Sequence, residues 1–578
     1  MPVPASTPCL VGCWLLVCTL HAQATDPSPM EAGFAAQALR SWVADFERAR
    51  LGPNGQLQKG TGLQPDYCAE LRRAGLLGPD DEGRLTHLDV LQKLLYFAET
   101  HPSTDLADAV LAVASAGLEN AFLDHQALQI RELGHWSLMR MDHQGAWFLV
   151  LRAAAGERVP LFSALRKQEE DKGENGLAVG PARRVAALRL LGMKALPVFR
   201  STLEAALHDA DPRVRLATAE ALEFQRRPES LQTIVKAIDV ERHPVVSQAL
   251  ARLLLTLLRT KGEQVDAAQR DVAVRVALGQ FGVCGWRTDM DLLALVEAFP
   301  HRSAVPVLIG ALARSGQPED ELVRTVNKRA SPQLREKAWS LLRAMTGAVL
   351  LSDDPKVWRE FWAREQERIV VPAKLVTSRP GTTKAQFFGV PVTGGSIGFV
   401  IDTSGSMEAG VAGTAASESS SNRVLTRLKA AKEQMLLAVQ AMDSDCYYSL
   451  WTFAGKAHLW TSQPVRPTPN STRSLTELLS RLRPHGGTNL FDGLSQALQL
   501  GELKFGEQHE TKIDELFVLS DGEPTAGEVR ETEDMLRIVR ESNKYAKVRI
   551  HCVFTGTGPG ADLLRRLASE NDGVFVQR

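Results

Sequence analysis

Three fragments far apart in the chain concentrate hydroxyls and carboxylates: Asp402-Thr403-Ser404-Gly405-Ser406, Gly486-Gly487-Thr488-Asn489 and Ser520-Asp521-Gly522. Donors of this kind suit a small hard cation such as Mg²⁺, which prefers an octahedral shell of oxygens and keeps some waters; thiols and imidazoles suit softer metals. Alternate residues of an extended loop point the same way, so Asp402, Ser404 and Ser406 can converge while Thr403 and Gly405 face elsewhere. Gly405 and the Gly486-Gly487 pair permit the tight backbone that would bring such loops together. With neutral hydroxyls as inner ligands, a metal stays electrophilic and can accept an acidic side chain from outside.

The elements around these fragments are those of an α/β domain. Ile397 to Ile401 and Leu516 to Leu519 are near-continuous apolar runs, as expected of strands buried on both faces of a parallel sheet. Tyr447 to Phe453, His458 to Thr461, Val548 to Phe554 and Val574 to Gln577 are further strand candidates. Between them a helix places Val424, Leu428, Ala431, Met435, Val439 and Met442 on one stripe, and helices are also expected over Leu475 to Leu482, Leu490 to Leu500, Glu531 to Asn543 and Ala561 to Asn571. This alternation predicts a doubly wound sheet whose ligand site lies beyond the carboxyl ends of the strands, where strand order reverses.

Taken together, the three fragments resemble the metal-ion-dependent adhesion site (MIDAS) of the von Willebrand factor A family, whose pattern is Asp-x-Ser-x-Ser with a distant Thr and Asp. Asp402, Ser404, Ser406, Thr488 and Asp521 match all five positions, and the resemblance covers residues 385–578. It implies a Rossmann-like sheet of order 3-2-1-4-5-6, which would set Asp402 and Asp521 on adjacent strand ends. It also implies a bound Mg²⁺, or Mn²⁺ or Ca²⁺, held directly by Ser404 and Ser406. Thr488 would join or leave with ligand state, and the aspartates would act largely through water. A fold of this type whose site has decayed is the alternative. Glu408 to Asn422, rich in Gly, Ala and Ser, is inserted beside the expected cation, and its composition predicts mobility; it would be a gate or only slack.

Upstream the pattern is helical. Residues 30–178 carry apolar positions at three- and four-residue steps, as over Asp105 to Phe122. Within residues 179–366 a repeat is visible in the segments beginning Pro181, Asp211-Pro212, His243-Pro244 and Ser331-Pro332. Proline suits the first helical turn, where its missing N–H costs nothing, and Asp211 or Ser331 before it can cap the helix. This all-α region resembles the HEAT family in its short form named after phycobilisome lyases, and implies an α-solenoid that spaces other parts or offers a concave binding face. Residues 367–384, with Pro372 and Pro380-Gly381, read as a linker.

A net charge of -1 leaves no global field for nucleic acid or anionic lipid. Cys9 to Leu20 is an apolar run followed by Ala22-Gln23-Ala24, the small-x-small pattern of a cleavage site, so residues 1–24 read as a secretory signal and the protein as exported, periplasmic or extracellular. No later apolar stretch is long enough to cross a bilayer as a helix. Cys68, Cys284, Cys446 and Cys552 are too scattered for a disulfide framework or a zinc site. His125, His135 and His143 fit no metal-ligand spacing. Ser396 within Gly394-Gly395-Ser396-Ile397-Gly398 precedes its strand, whereas a nucleophile elbow follows one.

These readings converge on an exported, cation-dependent protein-binding protein and not an enzyme. Its partner would present an exposed acidic side chain to the metal. A metal-dependent hydrolase with His485 as base is an alternative, as is an accessory subunit of an ATP-driven or metal-inserting complex.

Overall fold

The structure, a computed structural model, describes residues 29–48 (side chains from 32), 86–119, 122–157, 179–312, 331–349, 352–377, 385–410, 425–556, 558 and 560–578. The signal segment, Cys68, the last residues of the linker and all but the first residues of the Glu408 to Asn422 insertion lie outside the described residues. The chain divides into two compact units, one of residues 1–114, 132–152 and 158–178, the other of residues 115–131, 153–157 and 179–578.

In the first unit, helix Pro29–Arg48 packs against His87–Thr100 and Thr104–Ala114. Trp42 and Phe46 are buried in this contact, where the Trp42 indole N–H donates to the His87 carbonyl at 2.8 Å and Arg40 pairs with Asp108 at 2.9 Å. Thr86 and Asp89 form a reciprocal capping box at the second helix. The helix expected over Asp105 to Phe122 ends earlier, at Ala114. A turn follows it, in which Gly117 adopts φ 64°.

The second unit begins with an array of helices in two rows. Pro181–Lys194, Pro212–Gln225, Pro244–Lys261, Trp286–Ala298 and Pro332–Thr346 stack in one row, and Leu231–Val240, Ala267–Gly279, Ala304–Leu312 and Pro355–Glu365 in the other. Each proline that marked the repeat occupies the first turn of its helix, and the side chains of Asp211 and Ser331 accept from the backbone of Arg213 and Gln333. Trp286–Ala298 has the same place in the row without the proline, starting instead from Gly285 at φ 95°. The first two helices approach so closely that a Cβ on Gly192 would lie 2.6 Å from the Ala221 Cα.

The carboxyl-terminal part opens with a hairpin, Gln386–Phe387 (β1) and Val390–Pro391 (β2), turned by Phe388 and Gly389 at positive φ. Phe387 lies over Phe399 and Phe517, closing one face of the sheet behind it. That sheet contains β3 (Ser396–Asp402), β4 (Tyr447–Phe453), β5 (Ala457–Leu459), β6 (Glu515–Ser520), β7 (Arg549–Phe554) and β8 (Phe575–Gln577), in spatial order β5-β4-β3-β6-β7-β8. All pairings are parallel except β4 with the edge strand β5. Helices α1 (Arg427–Ala441), α2 (Pro469–Arg481), α3 (Leu490–Ala497), α4 (Thr532–Ala546) and α5 (Gly560–Glu570) accompany it. Residues of β3, β4 and β6 are buried throughout, as their apolar runs require. Leu428, Ala431, Met435 and Val439 form the buried stripe of α1, Val424 lies outside the described residues, and Met442 caps the carboxyl end. Order reverses between β3 and β6, which places Asp402 and Asp521 at neighbouring strand ends.

The first row of the helical array packs on this α/β part through paired charges. Glu220 receives Lys544 at 2.7 Å, Arg189 at 3.0 Å and the Tyr545 hydroxyl at 2.9 Å. Asp291 pairs with Lys547 at 2.6 Å and Glu336 with Arg549 at 3.2 Å, while the Gln333 amide donates to the Asp514 carbonyl at 2.6 Å. Burial pushes against the charged form of Glu220 most strongly, but the Lys544 and Arg189 charges outweigh it and hold the carboxyl well below its usual range. Glu220→Ala strands Lys544 and Arg189 in this dry contact and should cost about 3–5 kcal/mol at neutral pH. Chemical denaturation followed by circular dichroism measures it, and a loss within experimental error of zero would contradict this account of the contact.

Candidate metal centre

Asp402 ends β3 and is fully buried. One carboxylate oxygen accepts the Ser404 N–H at 2.7 Å and the other the Ser520 hydroxyl at 2.6 Å, so its orientation is fixed from both sides. Burial pushes its pKa up to about 6; the bonds from Ser404 and Ser520 work against this, and the nearby Asp521 carboxylate adds to it. The next turn, Gly405–Glu408, is a short 3₁₀ helix with Ser404 at its amino-terminal cap. It swings Ser406 back beside Ser404, the hydroxyls lying 3.0 Å apart, and Ser406 donates to an Asp521 carboxylate oxygen at 2.8 Å. Ser404 is 1% exposed, whereas Ser406 faces solvent.

Backbone bonds sew the other loops to this one. Gly405 N–H donates to the Gly486 carbonyl at 3.1 Å and His485 N–H to the Thr403 carbonyl at 2.8 Å, with Gly486 at φ 66°. Thr488, 4% exposed, is held on the far side by exchange with Thr525: its N–H donates to the Thr525 hydroxyl and its carbonyl accepts the Thr525 N–H, both at 2.9 Å. Asn489 caps α3 by accepting from Asp492 N–H and also donates to the Gly455 carbonyl. Beneath Asp521 the β7 loop approaches so closely that a Cβ on Gly556 would strike the Asp521 carbonyl oxygen, and one on Gly560 the Gly522 carbonyl carbon at 2.7 Å.

Of the five residues expected at the site, the side chains of Ser404, Ser406 and Asp521 form one hydrogen-bonded cluster. Asp402 reaches it through Ser404, and Thr488 is joined to it through its loop. The donor set is hydroxyl and carboxylate only, with one face open to solvent, and so fits a hard divalent cation that retains waters. Ser520 is legible as a neighbour of Asp521, but nothing in the sequence marks its bond to Asp402. Arg427, at the start of α1, had no signal in the sequence at all: its Nη1 donates to the second Asp521 oxygen at 2.7 Å.

The histidines take other roles. His485 is exposed, with Nδ1 3.0 Å from the Arg483 carbonyl. His125 faces Asp534 at 3.1 Å, and His143 accepts the Ala146 N–H at the start of its helix. Ser396, first residue of β3, is buried and donates to the Lys512 carbonyl. Cys446 directly precedes β4 and Cys552 lies in β7, strands that are not neighbours, and both are free thiols. Among the described residues no helix is long and apolar enough to cross a membrane.

Comparison with known proteins agrees with the geometry. Residues 397–523 match the von Willebrand factor type A domain family. Mouse inter alpha-trypsin inhibitor heavy chain 4 is 25% identical over 192 residues, 32% of this chain and 18% of that protein. Human inter-alpha-trypsin inhibitor heavy chain H3 is 26% identical over 196 residues, 33% of this chain and 19% of that one. Mouse von Willebrand factor A domain-containing protein 5A is 25% identical over 183 residues, 32% and 21% of the two chains. The match therefore spans about a fifth of the length of these relatives. A solved von Willebrand factor type A structure from Catenulispora acidiphila aligns over 32% of this chain and 38% of its own, at 21% identity and a TM-score of 0.24. The region upstream of the α/β domain is, among the described residues, an all-helical array.

The close approach under Asp521 can be tested. Gly556→Ala should displace the Asp521 loop and, if the cluster holds a cation, weaken Mn²⁺ binding about 10–100-fold, the effect usual for losing support behind a ligating residue. Titration calorimetry beside a thermal melt reads both affinity and folding; a folded variant with parental affinity would show that the loop is not held from below.

Proposed function

We propose, from the premise that residues 397–523 are a von Willebrand factor type A domain, that this protein binds another protein through a divalent cation and has no catalytic role. The cation is Mg²⁺, with Mn²⁺ or Ca²⁺ as substitutes. Asp402, Ser404, Ser406, Thr488 and Asp521 would hold it, and an exposed carboxylate of the partner would complete its shell. The observation that carries this reading is the convergence of Ser404, Ser406 and Asp521 at the solvent-facing carboxyl edge of the sheet. Neutral hydroxyls next to the ion leave it hungry for an anionic ligand, which makes it a recognition element. Near the cluster the one histidine in sequence, His485, turns Nδ1 toward a backbone carbonyl and among the described residues has no carboxylate to orient it, which lends no support to a hydrolytic base there.

The other parts of the proposal rest on sequence. The apolar run from Cys9 to Leu20 with Ala22-Gln23-Ala24 supports export to a periplasmic or extracellular location. The two-row stacking of the helices and their first-turn prolines support a HEAT-like solenoid, serving as a scaffold for the recognition domain.

Titration of the intact protein with Mg²⁺ or Mn²⁺ should give one site, and Asp402→Ala or Asp521→Ala should weaken it by at least about 10–100-fold. Affinity unchanged in both variants would remove the assignment. Partners captured by the intact protein with Mg²⁺ should be released by EDTA; the same partners retained in EDTA would contradict cation-dependent recognition.

A further inference from the structure

Arg427 is an odd residue for its position. It opens α1, where a positive charge meets the positive end of the helix dipole, and Thr426 already caps that end by accepting the Lys429 N–H. Its guanidinium turns instead to the cation cluster, with Nη1 2.7 Å from the Asp521 carboxylate and 3.5 Å from the Ser406 carbonyl. The Asp521 side chain is fully buried in this contact. Arg427 is nevertheless held lightly: its bond to Asp521 is single where guanidinium and carboxylate usually form a fork, and among the described residues its buried Nε has no hydrogen-bond partner. The side chain is 16% exposed, so it lies next to solvent, while its backbone N–H stays anchored to the Ala409 carbonyl at 2.9 Å.

We propose that Arg427 is a built-in counter-charge that neutralises Asp521 while no metal is bound and must release it before a divalent cation can settle. This rests on the cation reading of the same site. Asp402 and Asp521 offer two negative charges; a guanidinium offsets one, and a dication offsets both. The two positive groups cannot share Asp521 without repelling each other at short range. Cation affinity is therefore set by displacement, and the freed guanidinium stands beside the metal, placed to meet the carboxylate of an arriving partner.

The test compares the parent with Arg427→Gln and Arg427→Lys by Mn²⁺ calorimetry and by thermal melts in EDTA and in saturating MgCl₂. Arg427→Gln should bind Mn²⁺ about tenfold more tightly than the parent. Arg427→Lys, which keeps the charge, should bind close to the parent. In EDTA the Gln variant should melt below the parent, and MgCl₂ should raise its Tm by more than the parent's, because the metal takes over the lost charge. Equal or weaker binding by a folded Gln variant would mean that Arg427 supports the site instead of competing for it. Tightening in both variants would show that its charge is not the cause, and either result overturns the proposal. A parent and variants that all fail to bind Mn²⁺ would instead overturn the cation reading beneath it.

Discussion

Two carboxylates at the ends of adjacent strands, both withdrawn from water, repel each other, and the carboxyl-terminal domain is arranged around keeping them there. Asp402 is fixed by a backbone N–H and the Ser520 hydroxyl, Asp521 by the Ser406 hydroxyl and the Arg427 guanidinium. No single bond is strong enough to hold the arrangement; the loops are locked because each takes backbone bonds from a neighbour. Burial that pushes Asp402 up to about 6 is the residue of that conflict, since its hydrogen bonds only partly offset the loss of water. The sheet supplies the frame, as reversal of strand order between β3 and β6 opens the gap in which the loops meet.

The opposite end of the same strands carries a second charged region that is turned inward to the chain itself. Glu515, fully buried, accepts from Thr393 N–H and Gly394 N–H and lies 3.1 Å from His551. Beside it Asp514 accepts from Gly395 N–H and Ser396 N–H. Helix Pro332–Thr346 reaches this edge through Ser331 and Gln333, and the helices before it dock on the end of α4 through Glu220 and Asp291. The first row of the helical array is thus largely committed to its own α/β domain. The Ser404, Ser406 and Asp521 cluster and the docked edge lie at opposite ends of the parallel strands, so the array leaves the cluster's edge of the sheet uncovered.

Much of this was legible in the sequence because parallel strands buried on both faces leave unbroken apolar runs, as at Ile397 to Ile401 and Leu516 to Leu519. The helix starts at Pro181, Pro212, Pro244 and Pro332 were legible for a similar reason, since proline is tolerated at few places in a helix. Trp286–Ala298 escaped because Gly285, and not a proline, begins it. Helix ends are poorly marked where a left-handed residue stops the helix without any change in hydrophobic pattern: α3 ends before the expected Leu500, ahead of Gln499 (φ 52°), and α4 runs past the expected Asn543 to Ala546, ahead of Lys547 (φ 57°). At the site, residue types and spacing pointed to Ser404, Ser406 and Asp521, whose side chains the fold brings together. Arg427 was hidden because the Glu408 to Asn422 insertion separates it from the motif it serves, and charge at the first turn of a helix carries no mark of what it faces.

The central claim is that loops from three parts of the chain create a single position for a hard cation. Crystals of the intact protein grown with MnCl₂ and measured at the manganese absorption edge test it directly. The account predicts one anomalous peak within bonding distance of the Ser404 and Ser406 hydroxyls, close to Asp521 and Thr488. A map without a peak at that edge of the sheet, in crystals where those loops are well ordered, would contradict it.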